Sequence, residues 1–119
     1  MADAVIAAIP PGRHARLIVP RLLQRGEDFT ARLLIQHPME TGFRRDDTGK
    51  VLPANVIENV VLLFNDELVF RGRVLNALSA NPSLSVQLTA QKSGTLSAHW
   101  RDQMGNVGSI STEVRVAGA

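Results

Sequence analysis

The sequence predicts an antiparallel β-sandwich of about seven strands. Short segments in which apolar and polar residues alternate recur along the chain. Turn-forming clusters separate them, notably Asn65-Asp66, Ser79-Ala80-Asn81-Pro82 and Met104-Gly105-Asn106. At 119 residues with 45% apolar side chains, the chain can bury one core and is too short for two.

Residues 1–13 end in Pro10-Pro11-Gly12, which breaks any helix begun by Ala4–Ile9, and read as a loose tail before a single domain over 14–119. The first strand spans His14 to Val19, with Ala15, Leu17 and Val19 on one face. Pro20 ends it or marks a sheet edge. Gln24 to Asp28 is a polar turn. Phe29 to Gln36 is the second strand, with Phe29, Ala31, Leu33 and Ile35 facing inward. His37-Pro38 stops it, because proline cannot donate to a ladder. Residues 37–54 then form a long, densely charged loop containing Pro38, Gly42, Gly49 and Pro53. Loops of that length in a compact domain are usually functional or disordered.

Val56 to Phe64 is a third strand, apolar on both faces from Val60 onward. Asn65-Asp66 suits a two-residue hairpin turn that demands positive φ. Leu68 to Val74 returns as the fourth strand. Leu84, Val86 and Leu88 mark the inner face of a fifth. Leu96, Ala98 and Trp100 do so for a sixth, and Ile110, Thr112, Val114 and Val116 for a seventh.

Composition excludes several functions. The chain has no cysteine, which removes disulfides, thiolate nucleophiles and cysteine metal sites together. Its formal charge is +2 and its arginines are scattered, unlike the concentrated charge of a nucleic-acid binder. No segment approaches the ~20 apolar residues of a membrane helix. The N-terminus carries an acid where a signal peptide needs positive charge, so no signal peptide is expected.

No catalytic constellation is framed by the sequence. His37 and Glu40 lack the third ligand of a metal site, and His14 and His99 sit on separate strands. No strained serine elbow is present. Thr48-Gly49-Lys50 lacks the upstream glycine, the following Ser or Thr and the helix of a phosphate loop. Neither a metal nor a cofactor is expected, and the chain does not read as an enzyme.

The third strand offers a sharper signal. With Asn65-Asp66 as the turn, Leu63 faces Leu68, Val61 faces Phe70 and Ile57 faces Val74 on the core side. Glu58 then meets Arg73 on the other side. That register puts Val60, Leu62, Phe64 and Val69 on an outer apolar patch. A three-residue loop would instead expose Val61, Leu63 and Val69. Either way an apolar cluster is left for another protein chain, and the isolated chain is expected to self-associate through it. In the loop, Pro38 holds His37 extended and aims the segment away from the sheet. Met39 offers a flexible apolar contact. Arg44 and Arg45 supply donors for carboxylates. His37, Met39, Arg44 and Arg45 therefore join the candidate partner-binding residues.

His-Pro-Met-Glu-Thr-Gly at 37–42, Asp-Asp-Thr-Gly-Lys at 46–50, Ser-Ala-Asn-Pro at 79–82 and Gly-Thr-Leu…Trp at 94–100 occur in this order. On these motifs the chain, from about Ala15 to Val116, resembles the Z subunit of the Sox thiosulfate-oxidation carrier complex. The resemblance implies an immunoglobulin-like sandwich. It implies a non-catalytic subunit forming a heterodimer with a Y subunit, whose cysteine carries sulfur intermediates between periplasmic enzymes. It implies transient contact with those enzymes, and export with a signal-bearing partner. The absence of cysteine fits a chain that supports the carrier without bearing the adduct. The alternative is a free-standing ligand-binding sandwich module that uses the 37–54 loop for recognition.

Overall fold

Alternation decides the first sheet. Phe29, Ala31, Leu33 and Ile35 are all buried, while Asp28 and Arg32 on the alternate positions reach solvent. The computed structural model describes residues 15–37, 39–40, 42–73 and 81–118. Within them the strands are β1 (Ala15–Ile18), β2 (Leu23–Gln24), β3 (Asp28–Ile35), β4 (Ile57–Phe64), β5 (Glu67–Arg73), β6 (Ser83–Thr89), β7 (Gly94–Asp102), β8 (Val107–Val114) and β9 (Val116–Ala117). An antiparallel sheet of order β1-β3-β6 faces a second of order β5-β4-β7-β8. The fold is an immunoglobulin-like β-sandwich. The strand count exceeds the expected number because β2 and β9 form a short parallel pair, Leu23 beside Val116. This pair closes one end with two fully apolar, buried side chains. The expected N-terminal tail lies outside the described residues.

The core joins Leu17, Phe29, Leu33 and Val86 of one sheet to Val60, Leu62, Leu96 and Trp100 of the other. Each fully buried aliphatic side chain of this kind contributes ~1.5–3 kcal/mol relative to exposure. Trp100 packs its indole over Gly108, its cross-strand neighbour. A Cβ at Gly108 would lie 2.6 Å from the ring, so only glycine lets the indole settle there.

The β4–β5 hairpin corrects the predicted register. Asn65 and Asp66 take φ of 48° and 69°, so the two-residue turn forms as expected, with Phe64 opposite Glu67 and Leu63 opposite Leu68. Val69 then stands as an extra residue, and Leu62 pairs with Phe70. A bulge of one residue exchanges the two faces of everything beyond it. Val61 therefore faces Arg71, and Arg73 faces Asn59 in place of Glu58. Val74, the expected partner of Ile57, lies outside the described residues. Val60 and Leu62, expected on the surface, are 1% exposed and belong to the core. Phe64 is half-buried and packs against that core. Of the expected outer patch only Val69 reaches solvent, beside Leu68.

Candidate functional site

The segment after β3 is folded, and it is built around His37. The backbone N–H of His37 donates to Asn81 Oδ1 (3.0 Å), and Asn81 N–H donates back to the His37 carbonyl (2.7 Å). Asn81 holds φ at 57°, a conformation asparagine tolerates better than most residues. The imidazole then turns inward. Its Nδ1 accepts the Met39 N–H at 2.9 Å, and Nε2 lies 3.0 Å from Asp102 Oδ2. An accepting Nδ1 fixes the neutral tautomer, in which Nε2–H donates to the carboxylate.

Asp102, at the end of β7, is the hub of this cluster. Its Oδ1 accepts the N–H groups of Met104 (3.0 Å) and Asn106 (2.9 Å), and its Oδ2 accepts Asn106 Nδ2 (3.1 Å). Burial pushes its carboxyl pKa up, but hydrogen bonds from His37, from Asn106 and from the Asn55 side chain outweigh that and leave it below the usual range. Asn55 is buried too, and its Oδ1 accepts the Met104 N–H at 3.2 Å. Met39 completes the cluster with φ of 51° and its sulfur 3.4 Å from the Ile57 N–H.

From this clamp residues 40–55 project as a hairpin arm. Glu40 and Asn55 exchange backbone hydrogen bonds of 2.9 and 2.7 Å, and Arg45 bridges to Val51 further out. Gly42 takes φ of +93° with its backbone close against Ala54. At the tip Asp46 Oδ1 accepts the N–H groups of Thr48 and Lys50 and the Thr48 hydroxyl, which lowers its pKa. Arg44 forks onto Glu40 at 3.1 and 2.6 Å, and Arg45 donates to the Gly49 carbonyl. The charges along the arm thus shape its own turn. Among its apolar residues Phe43 stands 89% and Val51 45% exposed.

These positions sort the expected site residues. His37 and Met39, expected to be exposed in the loop, are each 3% exposed, and their side chains are enclosed by the clamp. The sequence missed this because the groups that enclose the ring, Asp102 and Asn81, lie far along the chain. Arg44, Arg45 and Val69 are exposed. The structure does not bring Val69 into the clamp; it sits at the β4–β5 hairpin. Asp102, Asn55 and Asn106 were not singled out. The one available signal for Asp102 was its place directly after His99-Trp100-Arg101 in a motif already noted.

The His37–Asp102 pair has the geometry of a base and its orienter. Yet one ring nitrogen is spent on Asp102 and the other on the Met39 N–H, so neither is offered to a substrate. Among the described residues no group of three His, Cys, Asp or Glu side chains could hold a metal. A cavity of about 300 Å³ opens between the sheets near Phe29, Phe64, Leu88 and Val114, with Glu67 and Lys92 among its lining residues. Among the described residues none of its lining comes from 37–54.

Among solved structures, the chain is similar to a superoxide reductase (neelaredoxin) variant from Ignicoccus hospitalis, at 19% identity and a TM-score of 0.68, covering 87% of this chain and 81% of that one. It is similar to a putative superoxide reductase from Thermotoga maritima, at 15% identity and a TM-score of 0.64, covering 86% and 84%. It is also similar to the sulfur carrier protein SoxY from Chlorobium limicola f thiosulfatophilum, at 14% identity and a TM-score of 0.61, covering 87% and 78%. At such identities these likenesses show the fold alone. A comparison with curated proteins returns no match. A family model described as Sulphur oxidation protein SoxZ matches residues 18–113, a span that holds the His37 clamp, the arm and the Asp102 hub together. The chain belongs to the SoxZ family and is a component of the Sox sulfur-oxidation system.

Proposed function

We propose that this chain is the non-catalytic half of a periplasmic sulfur-carrier heterodimer, paired with a cysteine-bearing Y-type subunit that holds the sulfur intermediate. One observation carries the proposal. A Sox component whose 119 residues include no cysteine has no thiol on which to form such an adduct. The engagement of both His37 ring nitrogens supports the absence of bond-making chemistry. The SoxY neighbour, a sulfur carrier by its description, has the same fold, which favours pairing of two like sandwiches across matching faces. Surface for such a contact is available at the β4–β5 tip, where Leu68 is 51% and Val69 42% exposed, and on the arm at Phe43, Arg44 and Arg45.

Native mass spectrometry of the chain co-expressed with a Y-type subunit tests this. A 1:1 heterodimer is expected, and the isolated chain is expected to self-associate at high concentration. Reversing Arg44 and Arg45 to glutamate should slow association in a salt-dependent way while leaving the melting temperature nearly unchanged. Persistence of both chains as separate monomers overturns the proposal.

A further inference from the structure

The register of the four-stranded sheet sets out its outer face in rows. Arg73, Asn59, Arg101 and Val107 are cross-strand neighbours in one row, and Arg71, Val61, His99 and Ser109 in the next. Neighbouring strands lie about 4.8 Å apart and alternate residues on one strand about 6.7 Å apart. Arg71, Arg73, His99 and Arg101 therefore mark the corners of a rectangle roughly 10 Å by 7 Å, with Val61 and Asn59 on its midline. A groove of about 430 Å³ lies over part of it, walled by Asn59, Val61, His99, Arg101 and Val107. The backbone of Trp100 and Gly108 contributes its floor, since the Trp100 side chain is turned to the core.

The charges here are uncompensated. Arg71, Arg73 and Arg101 are exposed, and among the described residues no carboxylate pairs with any of them. Glu58, at the β4 bulge beside Asn59, makes no ion pair with them. Glu113 lies farther along the sheet, where Thr95 Oγ1 donates to it at 3.0 Å. On the arm, by contrast, two arginines are used internally, Arg44 on Glu40 and Arg45 on a carbonyl. A guanidinium fork binds two oxygens of one anion, and the Asn59 amide and His99 Nδ1 offer further polar atoms, His99 Nε2 lying 3.1 Å from Ser97 Oγ. Donors placed around a centre, instead of along one edge, match a tetrahedral anion whose oxygens point several ways.

We infer that this groove binds a tetrahedral sulfur oxyanion, with Arg101 as its chief ligand and Arg71 and Arg73, on the neighbouring strand outside its lining, adding positive charge beside it. The choice of sulfur rests on the function proposed above; the basic rectangle does not. The same chemistry is presented by a free anion or by a sulfonate borne on a partner chain.

The test is an NMR titration of the isolated chain with sulfate and with thiosulfate, at constant ionic strength set by chloride. Saturable shifts are expected at the His99 ring and the Arg101 side chain. Affinity should fall at least tenfold in Arg101→Gln and stay unchanged in Arg25→Gln, an exposed turn position. An unshifted Trp100 indole signal would verify that Arg101→Gln remains folded. Shifts that never saturate, or that survive Arg101→Gln, overturn the inference. Repeating the titration on the heterodimer identifies the source: loss of the sulfate response marks a partner-borne group, and its retention a free anion. Failure to form a heterodimer would count against the proposed function and leave the first titration readable.

Discussion

Replacing Leu62 with glutamate is expected to leave no folded domain. Leu62 is 1% exposed, flanked in the sheet by Phe70 and Ala98 and turned to the core. Truncation to alanine at such a site costs about 2–5 kcal/mol. A carboxylate there also loses its hydration with no cation to receive it, which costs more still. A domain of this size has ~5–15 kcal/mol of stability in total. Circular dichroism and urea titration should find Leu62→Glu unfolded without denaturant. Leu68→Glu, six residues on at an exposed position, should fall within about 0.5 kcal/mol of the parent. A folded Leu62→Glu domain would mean that the face at Val60 and Leu62 is outward after all.

Asp102→Ala should release the arm while sparing the sandwich. It removes the acceptor for His37 Nε2, Met104 N, Asn106 N and Asn106 Nδ2 together. Each buried donor left without its acceptor costs about 1–3 kcal/mol. Hydrogen exchange should show the amides of Glu40, Leu52 and Asn55 losing protection while those of Leu96 and Ala98 keep it. Retained protection in the arm would show that the clamp does not hold it. The parent should behave the same way in acid. The folded pKa of Asp102 is depressed, so its contribution is complete above the unfolded value of about 3.9 and is lost as pH falls through the lower folded value. The share of the arm's protection that Asp102 supplies should therefore be lost only as pH falls below the usual carboxylate range.

The sandwich was legible because its signal is local. Phe29 to Ile35 and Leu96 to Trp100 alternate cleanly, and one buried face each is enough to set a strand. The β4 strand was misread for a physical reason. Val60 to Phe64 is apolar on both faces, so periodicity could not choose between them. The choice is made by β7, whose core residues Trp100 and Ala98 lie opposite Val60 and Leu62, while the extra residue Val69 resets only the β5 side of the hairpin. His37 was misjudged for a related reason. Its neighbours in sequence describe a solvated charged loop, and the groups that bury it arrive from two other parts of the chain. His37, Asn81 and Asp102 come from stretches that look like separate signatures in sequence; in space they are one hydrogen-bonded cluster.

That cluster has a consequence for the order in which the chain folds. His37 waits for Asn81, 44 residues later, and for Asp102, 65 residues later. Asn55 waits 49 residues for Met104. Closing loops of this length costs entropy before any bond rewards it, and such contacts form late. On a ribosome, residues 40–55 emerge well before the strand that will hold them. Pulse-labelled exchange should find the Leu52 and Asn55 amides protected after those of β4 and β7, and simultaneous protection would refute this order. The arm then acts as a seal applied to a finished domain. Any protein that grips it selects completed molecules and passes over half-made ones, with no separate inspection step.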